Sequence, residues 1–298
     1  MKATARSLLV QMGTALWSRT GSRTAREAYL KAFLWLVRGR RVLATVDGIR
    51  YDLDLGDMVD ACLYLGRYEP EVTAAIERYC RSGWTALDIG ANVGAHALRI
   101  ARLVGPGGRV YAFEPTTYAY DKLVRNIALN GFAHVEAFRV ALAEHTRAAQ
   151  SMTVRASWRT DGSGGAVHET VDFVRADDWA QGRDLQRLDL IKLDVDGNEF
   201  PVLQGAGGLL RVYRPVVLTE VGAWHFADPG RNPLRLLEEL DYRFLDTRLG
   251  GEFASLAEIR ALLPERDENL GFSINVIAEP RASAPPPGRR EAKRLADE

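Results

Sequence analysis

The stretch Ala86-Leu87-Asp88-Ile89-Gly90-Ala91-Asn92-Val93-Gly94 decides how the chain is read. Thr85–Leu87 suit a short buried strand that ends at Asp88, and Gly90 and Gly94 frame a turn into the helical run Ala95–Leu103. In an open α/β sheet, ligands bind beyond the carboxyl ends of the strands. Gly90 permits a sharp turn and a close ligand approach. The helix after Gly94 directs free N–H groups and a partial positive charge at the same place. An ordinary glycine-rich strand-to-helix turn has these features too, so its meaning depends on the surrounding sequence.

Downstream, strands and helices alternate. Thr85–Leu87, Arg109–Phe113, Val135–Val140, Leu190–Leu193 and Val216–Val221 read as strands, with helices over Ala95–Leu103, Ala119–Leu129 and Val202–Leu210. This pattern predicts an α/β fold with a doubly wound, mostly parallel sheet and helices on both faces. Leu234–Leu240 reads as a further helix, and Tyr242–Leu245 and Phe272–Ile277 as the last strands. Met152–Val154 and Thr170–Arg175 read as an added hairpin with Asp161-Gly162-Ser163-Gly164-Gly165 at its tip. Upstream, Arg41–Val46 and Ile49–Leu55 form a hairpin through Asp47-Gly48. Helices follow over Met58–Tyr64 and Pro70–Tyr79. The organisation expected is an arm over 1–41, a hairpin and helical lead-in over 42–84, the main domain over 85–280 and a disordered tail over 281–298.

The 298 residues carry no net charge, but the charge is unevenly spread. Residues 1–41 hold nine Lys or Arg against Glu27, which makes them +8 and the remainder −8. A negative main body argues against a nucleic-acid partner. Ala25–Val37 reads as an amphipathic helix with Tyr29, Leu30, Phe33, Leu34 and Val37 on one face. That face can dock on the main domain or on a second subunit, giving a homo-oligomer. Its basic surroundings and Trp35 also suit peripheral contact with a membrane surface. No apolar run is long enough to span a bilayer. Cys62 and Cys80 lack metal or redox spacing and fit two unpaired thiols in a cytoplasmic protein. Ser7–Trp17 only weakly resembles a signal peptide, because Gln11 and Thr14 interrupt it.

Three acids fall at predicted strand ends: Asp88, Glu114 in Y-A-F-E-P, and Asp194 with Asp196 in I-K-L-D-V-D-G-N-E. Each could be a helix N-cap, but three on one sheet edge favour a ligand site. An acid about 20 residues beyond the glycine turn can accept hydrogen bonds from ribose hydroxyls. The turn lacks the middle glycine of the dinucleotide-binding pattern, which disfavours a nicotinamide oxidoreductase. Asp88 would repel a phosphate and suits a cationic amine.

These motifs resemble a known family. D-I-G-A-N-V-G, G-G-R-V-Y-A-F-E-P, R-N-I-A-L-N-G-F, D-L-I-K-L-D-V-D-G-N-E-F-P-V-L-Q-G-A and R-P-V-V-L-T-E-V occur in order and look like the FkbM-type S-adenosylmethionine-dependent methyltransferases. Tyr68-Glu69-Pro70 matches the family's lead-in. The resemblance runs from about Gly48 to Val221 and more weakly to Ile277. It implies a class I methyltransferase sheet of seven strands, the last antiparallel and inserted between the fifth and sixth. It also implies S-adenosyl-L-methionine as cofactor. Asp88, Gly90, Asn92 and Gly94 would line its methionine end, with Glu69 entering from the lead-in. Glu114 would bind the ribose, and the Ala141 and Leu142 backbone the adenine. From the residues alone, Glu69 could equally enter the site with Tyr68 or merely favour a helix N-terminus.

The reaction implied is methyl transfer to a small-molecule or glycan acceptor, as O-methylation of a sugar, glycan, glycolipid or secondary metabolite. N-methylation of a peptide or amine, or a non-catalytic cofactor-binding scaffold working through the arm, are the alternatives. Asp194, Asp196 and His225 are the catalytic candidates, with Asp194 first choice as base or acceptor-orienting group and His225 second. Lys192 lies two residues before Asp194 and points the same way. Asp194, Asp196 and Glu220 could offer oxygens to magnesium, but no metal requirement is expected.

Overall fold

The computed structural model describes residues 39–155, 166–248, 250–264 and 272–281. The expected helix Ala25–Val37, the Asp161–Gly165 tip and the tail beyond Arg281 lie outside the described residues. The chain divides into two units, Met1–Tyr68 with Arg155–Ala166, and Glu69–Val154 with Val167–Glu298.

In the first unit, β1 (Arg41–Val46) and β2 (Ile49–Asp54) pair antiparallel across Asp47-Gly48. Both turn residues have positive φ (48° and 79°), the geometry whose twist matches a tight hairpin. α1 (Met58–Tyr64) follows, its first turn closed by Asp57 Oδ1, which accepts the Val59 N–H at 2.9 Å.

The second unit opens with α2 (Pro70–Tyr79), β3 (Thr85–Ile89), α3 (Ala95–Val104), β4 (Arg109–Phe113), α4 (Thr117–Asn130) and β5 (Val135–Phe138). Next come β6 (Ala141–Ala143), β7 (Arg147–Arg155), β8 (Ala166–Arg175), α5 (Ala176–Ala180) and β9 (Leu190–Leu193). The rest comprises α6 (Glu199–Gly205), α7 (Gly207–Tyr213), β10 (Val216–Gly222), α8 (Pro233–Glu239), β11 (Tyr242–Asp246), α9 (Leu256–Ala261) and β12 (Ser273–Pro280). Seven strands form one sheet in the order β11-β12-β10-β9-β3-β4-β5. β12 is antiparallel to both β10 and β11, and the β10–β9, β9–β3, β3–β4 and β4–β5 pairs are parallel. This is the expected class I sheet with its last strand inserted antiparallel.

Strand alternation sends residues to two cores. Leu87, Ile89, Ile191 and Leu193 pack with Trp179, Val202, Leu210 and Leu237 on one face. Ala86 and Leu190 pack with Val72, Ile76, Ile100 and Leu123 on the other. Because Val72, Ala75 and Ile76 of α2 belong to this second core, α2 goes with the sheet and not with the hairpin lead-in. Cys62 and Cys80 are free thiols. Burial pushes Cys62 up to about 11 and Cys80 up to about 12.

Three local expectations are corrected. β3 continues through Asp88 to Ile89, because pairing on both sides persists as Ile89↔Phe113 and Ile89↔Leu193. The segment Val135–Val140 stops at Phe138, and Ala141–Ala143 becomes a separate strand pairing with β8 in a three-stranded sheet, order β6-β8-β7. The single helix expected over Val202–Leu210 is two, broken at Ala206. The second helix has its own N-terminal partner: Asp177 accepts the Gly208 and Leu209 N–H groups at 2.9 and 3.0 Å, supplying free helix donors with an acceptor.

Gly90 is where the turn after β3 meets β9. Its φ is +81°, and a Cβ there would lie 1.8 Å from the Asp194 carbonyl oxygen. At Gly131 (φ +64°) an added Cβ meets nothing within 4 Å. Gly90→Ala is therefore expected to cost at least ~3 kcal/mol through overpacking and left-handed strain together. Gly131→Ala should cost about 1–2 kcal/mol from strain alone. Denaturant titration of the two variants checks the difference, and equal losses would contradict the close approach.

Candidate active site

Register builds the centre of the site. Asp88 on β3 and Lys192 on β9 are direct partners across a parallel pair, so their side chains leave the sheet on one face. Lys192 is 3% exposed and Asp88 0%. The Lys192 ammonium lies 3.1 Å from Asp194 Oδ2 and 3.9 Å from Asp88 Oδ1. Burial alone would pull the lysine pKa down, but Asp194, Asp88 and Glu69 more than reverse this and hold it above its usual range. The Lys192 ammonium and the Ala97 N–H are the groups that act on the buried Asp88 carboxyl in favour of its charge, with His96 beside them. Burial raises the Asp88 pKa, with the Lys192 charge opposing.

Glu69 precedes α2 with a left-handed backbone (φ 39°). Its Oε2 lies 2.6 Å from Nε2 of His96, a buried residue in the first turn of α3. Burial favours the protonated form of Glu69, yet the bond to His96 and the charges of His96 and Lys192 outweigh it and lower the pKa. Tyr68 is described with the first unit.

The turn Gly90–Gly94 contains three left-handed residues, Gly90, Asn92 and Gly94. Asn92 donates its N–H to Glu114 Oε2 at 2.9 Å. Glu114 Oε1 accepts the Thr116 N–H and hydroxyl at 2.9 and 2.6 Å. Glu114 thus ties the turn after β3 to the turn after β4. A carboxylate has about four acceptor positions, so three bonds leave one. Burial raises its pKa against these bonds. Ala141 and Leu142 are buried in β6.

Beyond β9 and β10 lies a carboxylate group. Asp194, Asp196 and Glu220 can each offer one oxygen, and these atoms lie within 4.8 Å of one another, a spacing that could hold a metal ion. Ser273 of β12 donates its hydroxyl to Glu220 Oε1. Burial, then the neighbouring Asp194 charge, pushes Glu220 up to about 8. Its antiparallel partner is Asn275.

His225 does not stand as a free base. It is 4% exposed, its Nδ1 accepts the Gly222 N–H at 3.1 Å, and its Nε2 lies 2.7 Å from Glu199 Oε2. Both ring nitrogens are engaged by protein partners. Glu199 is not simply a helix cap either; its Oε1 accepts the N–H groups of Val195 and Gly197 at 3.0 and 3.3 Å.

His96, Thr116 and Ser273 were not singled out from sequence. His96 had a signal, since it directly follows the glycine turn in G-A-H. Thr116 and Ser273 had none, being ordinary hydroxyl residues placed by the fold.

A raised pKa has a stability consequence. Glu220 binds its proton more tightly when folded (about 8) than at the ordinary value of 4.5. Its favourable contribution is therefore full below about 4.5 and is lost as pH rises through 8. Glu220→Gln is expected to match the parent's thermal stability at pH 4. At pH 9 it should exceed it by on the order of 1–3 kcal/mol, after allowance for solvent screening. Thermal melts across that range check this, and parallel curves would contradict it.

Comparison with known proteins adds independent findings. A family model described as the methyltransferase FkbM domain matches residues 88–274. Methyltransferase sdnD of Sordaria araneosa is 30% identical over 153 residues, covering 40% of this chain and 59% of that protein, so the chain spans less than two thirds of this relative's length. Among solved structures, methyltransferase FkbM from Methylobacillus flagellatus KT is 16% identical with a TM-score of 0.40, covering 86% of this chain and 59% of that one. A SAM-dependent O-methyltransferase from Thermotoga maritima is 12% identical with a TM-score of 0.42, covering 83% and 80%.

Proposed function

This chain belongs to the FkbM-type S-adenosylmethionine-dependent methyltransferase family, and we propose on that footing that it transfers a methyl group to a hydroxyl of a sugar, glycan, glycolipid or secondary metabolite. The observation that carries the reading is Asp88. A fully buried carboxyl met only by the Lys192 ammonium at 3.9 Å and the Ala97 N–H is costly, and a cationic ligand at the glycine turn would complete it. The residues present fit the cofactor. Asp88, Gly90, Asn92 and Gly94, with Glu69 beside them, would hold its methionine end. Glu114 has one acceptor position left for a ribose hydroxyl, and the Ala141 and Leu142 backbone would meet adenine.

When bound, S-adenosylmethionine supplies a methyl group already activated by the positive charge on sulfur. The protein's task is then largely alignment. Asp194, held by Lys192 at 3.1 Å, is fixed in orientation, which suits it to orient an acceptor hydroxyl. Asp196 borders the same space. Glu220, which holds its own proton to about 8, is the neighbour suited to take up the hydroxyl proton once its own has been lost, as pH rises towards 8. A second reading, N-methylation of an amine, draws on the same three carboxylates, which would attract an ammonium.

We assign the basic segment 1–41 to peripheral contact with an anionic membrane surface, on the strength of its +8 charge and apolar stripe. Among the described residues no helix is long and apolar enough to cross a membrane.

Calorimetric titration is expected to give binding of S-adenosylmethionine and none of NAD, with Glu114→Ala weakening it at least ~10-fold, the loss of one charge-assisted hydrogen bond. Heat with NAD alone, or indifference to Glu114, overturns the cofactor assignment. With labelled donor and a panel of glycans and amines, Asp194→Asn should lower turnover ~100-fold or more. Undiminished turnover removes Asp194 from the mechanism. Sedimentation with anionic vesicles should pull down the full chain and not a version lacking residues 1–41; equal soluble fractions refute the membrane assignment.

A further inference from the structure

We propose that Glu199 and His225 form a buried clamp that sets the position of Asp194 and Asp196 opposite Glu220, and that His225 serves the reaction only as a positioning residue. The proposal rests on the methyl-transfer reading for its kinetic consequences, though not for its geometry.

The protonation pattern follows from donors and acceptors alone. The Gly222 N–H points at His225 Nδ1 (3.1 Å), so Nδ1 is the lone-pair nitrogen. The ring proton must then sit on Nε2, which donates to Glu199 Oε2 at 2.7 Å. Glu199 Oε1 receives two backbone N–H groups, from Val195 at 3.0 Å and Gly197 at 3.3 Å. Three donors converge on one carboxylate that is 0% exposed. This pattern fixes the imidazole tautomer and uses Glu199 as an acceptor on both oxygens.

The clamp closes at a defined place. Val195 and Gly197 bracket Asp196, whose backbone is left-handed (φ 50°), as is that of Gly197 (φ 96°). A non-glycine residue carries a cost in that conformation, and Glu199 offsets it by holding the Asp194–Val195 and Asp196–Gly197 peptide N–H groups. His225 then fastens Glu199 to the turn after β10, the strand that carries Glu220. Trp224 closes the assembly. A Cβ on Gly222 would fall 2.2 Å from its ring, and one on Gly197 would fall 3.3 Å from its Nε1. The indole therefore fills the space between the two turns. Asp194 and Glu220 sit at the ends of neighbouring strands and would face each other anyway, but Asp196 lies beyond the strand and needs the clamp to reach them.

The clamp predicts a graded response. His225→Ala leaves Glu199 short of a donor, whereas His225→Gln restores an N–H toward Glu199 yet supplies no proton acceptor near neutral pH. Glu199→Gln keeps an acceptor for the two backbone N–H groups but turns an amide donor on His225. The test is amide hydrogen exchange over residues 195–197, steady-state kinetics against the acceptor, and calorimetry with S-adenosylmethionine. Expected are faster exchange in His225→Ala and Glu199→Gln, and acceptor kcat/KM lowered about 10–100-fold. Cofactor affinity should stay within about twofold, and His225→Gln should recover most of the lost activity. Equal loss in His225→Ala and His225→Gln, with one limb of the pH–rate profile abolished, makes His225 a proton acceptor and overturns the proposal. Unchanged exchange at residues 195–197 in both clamp variants overturns it too, whatever the activity. Should the parent transfer no methyl group to any acceptor, the methyl-transfer reading fails while the exchange measurement still decides the clamp. Retained cofactor binding and a cooperative melt show that a variant has folded.

Discussion

One cation between two carboxylates governs the centre of this molecule. Lys192 is nearly inaccessible, and its ammonium sits between Asp194 and Asp88 at 3.1 and 3.9 Å. An ammonium without partners would not be retained as a charge in such a place, because desolvation would neutralise it. The partners come from the sheet. Parallel register sets Asp88 opposite Lys192, and a period of two sets Asp194 on the same face. The cation cannot satisfy both acids equally. Asp194 takes the closer contact, and Asp88 keeps the longer ion pair and the Ala97 N–H.

The same contacts make the two turns at this edge a single object. Asp194 donates its N–H to the Ile89 carbonyl at 3.0 Å, and the Gly90 and Ala91 N–H groups both reach the Phe113 carbonyl. Gly90 abuts the Asp194 carbonyl so closely that no Cβ fits. Glu114 then holds Asn92 from the far side. A turn fixed from three strands cannot shift relative to the carboxylates after β9. Where a reaction consists of aligning two partners, such rigidity between the two halves of a site is what the protein contributes.

Much of this was legible in the chain itself because it depends on short periods. The spans of β4 and β9 could be read from apolar runs, and the side shared by Lys192 and Asp194 from alternation. The acids at strand ends could be read from their place before a turn. What escaped reading depends on residues distant in sequence. The break at Ala206 follows from Asp177 reaching Gly208 and Leu209 from about 30 positions away. β6 was not foreseen, because only pairing with β8 makes Ala141–Ala143 a strand. His225 was a second candidate base because sequence gives its position and chemistry but not its partners; Glu199, 26 positions earlier, engages its Nε2. Glu114 is a milder case. Its position was clear, but not that three protein donors already occupy it.

The carboxylates after β9 and β10 pose a charge problem that any account of the acceptor must resolve. Three acid oxygens within 4.8 Å cannot all be ionised cheaply, and Lys192 is already committed to Asp194. Either a proton stays or a positive group enters. Ser273 gives Glu220 one donor, which eases but does not cancel the repulsion from Asp194, so the proton stays on Glu220 to about 8. A neutral hydroxyl acceptor and a cationic amine therefore perturb the site in opposite ways. The hydroxyl needs Glu220 to have lost its proton before it can accept another, so the acceptor step gains as pH rises towards 8. A bound ammonium would itself compensate the acids and favour their ionised forms at lower pH. The chemical class of the acceptor is thereby tied to the protonation of one carboxyl group at the end of β10.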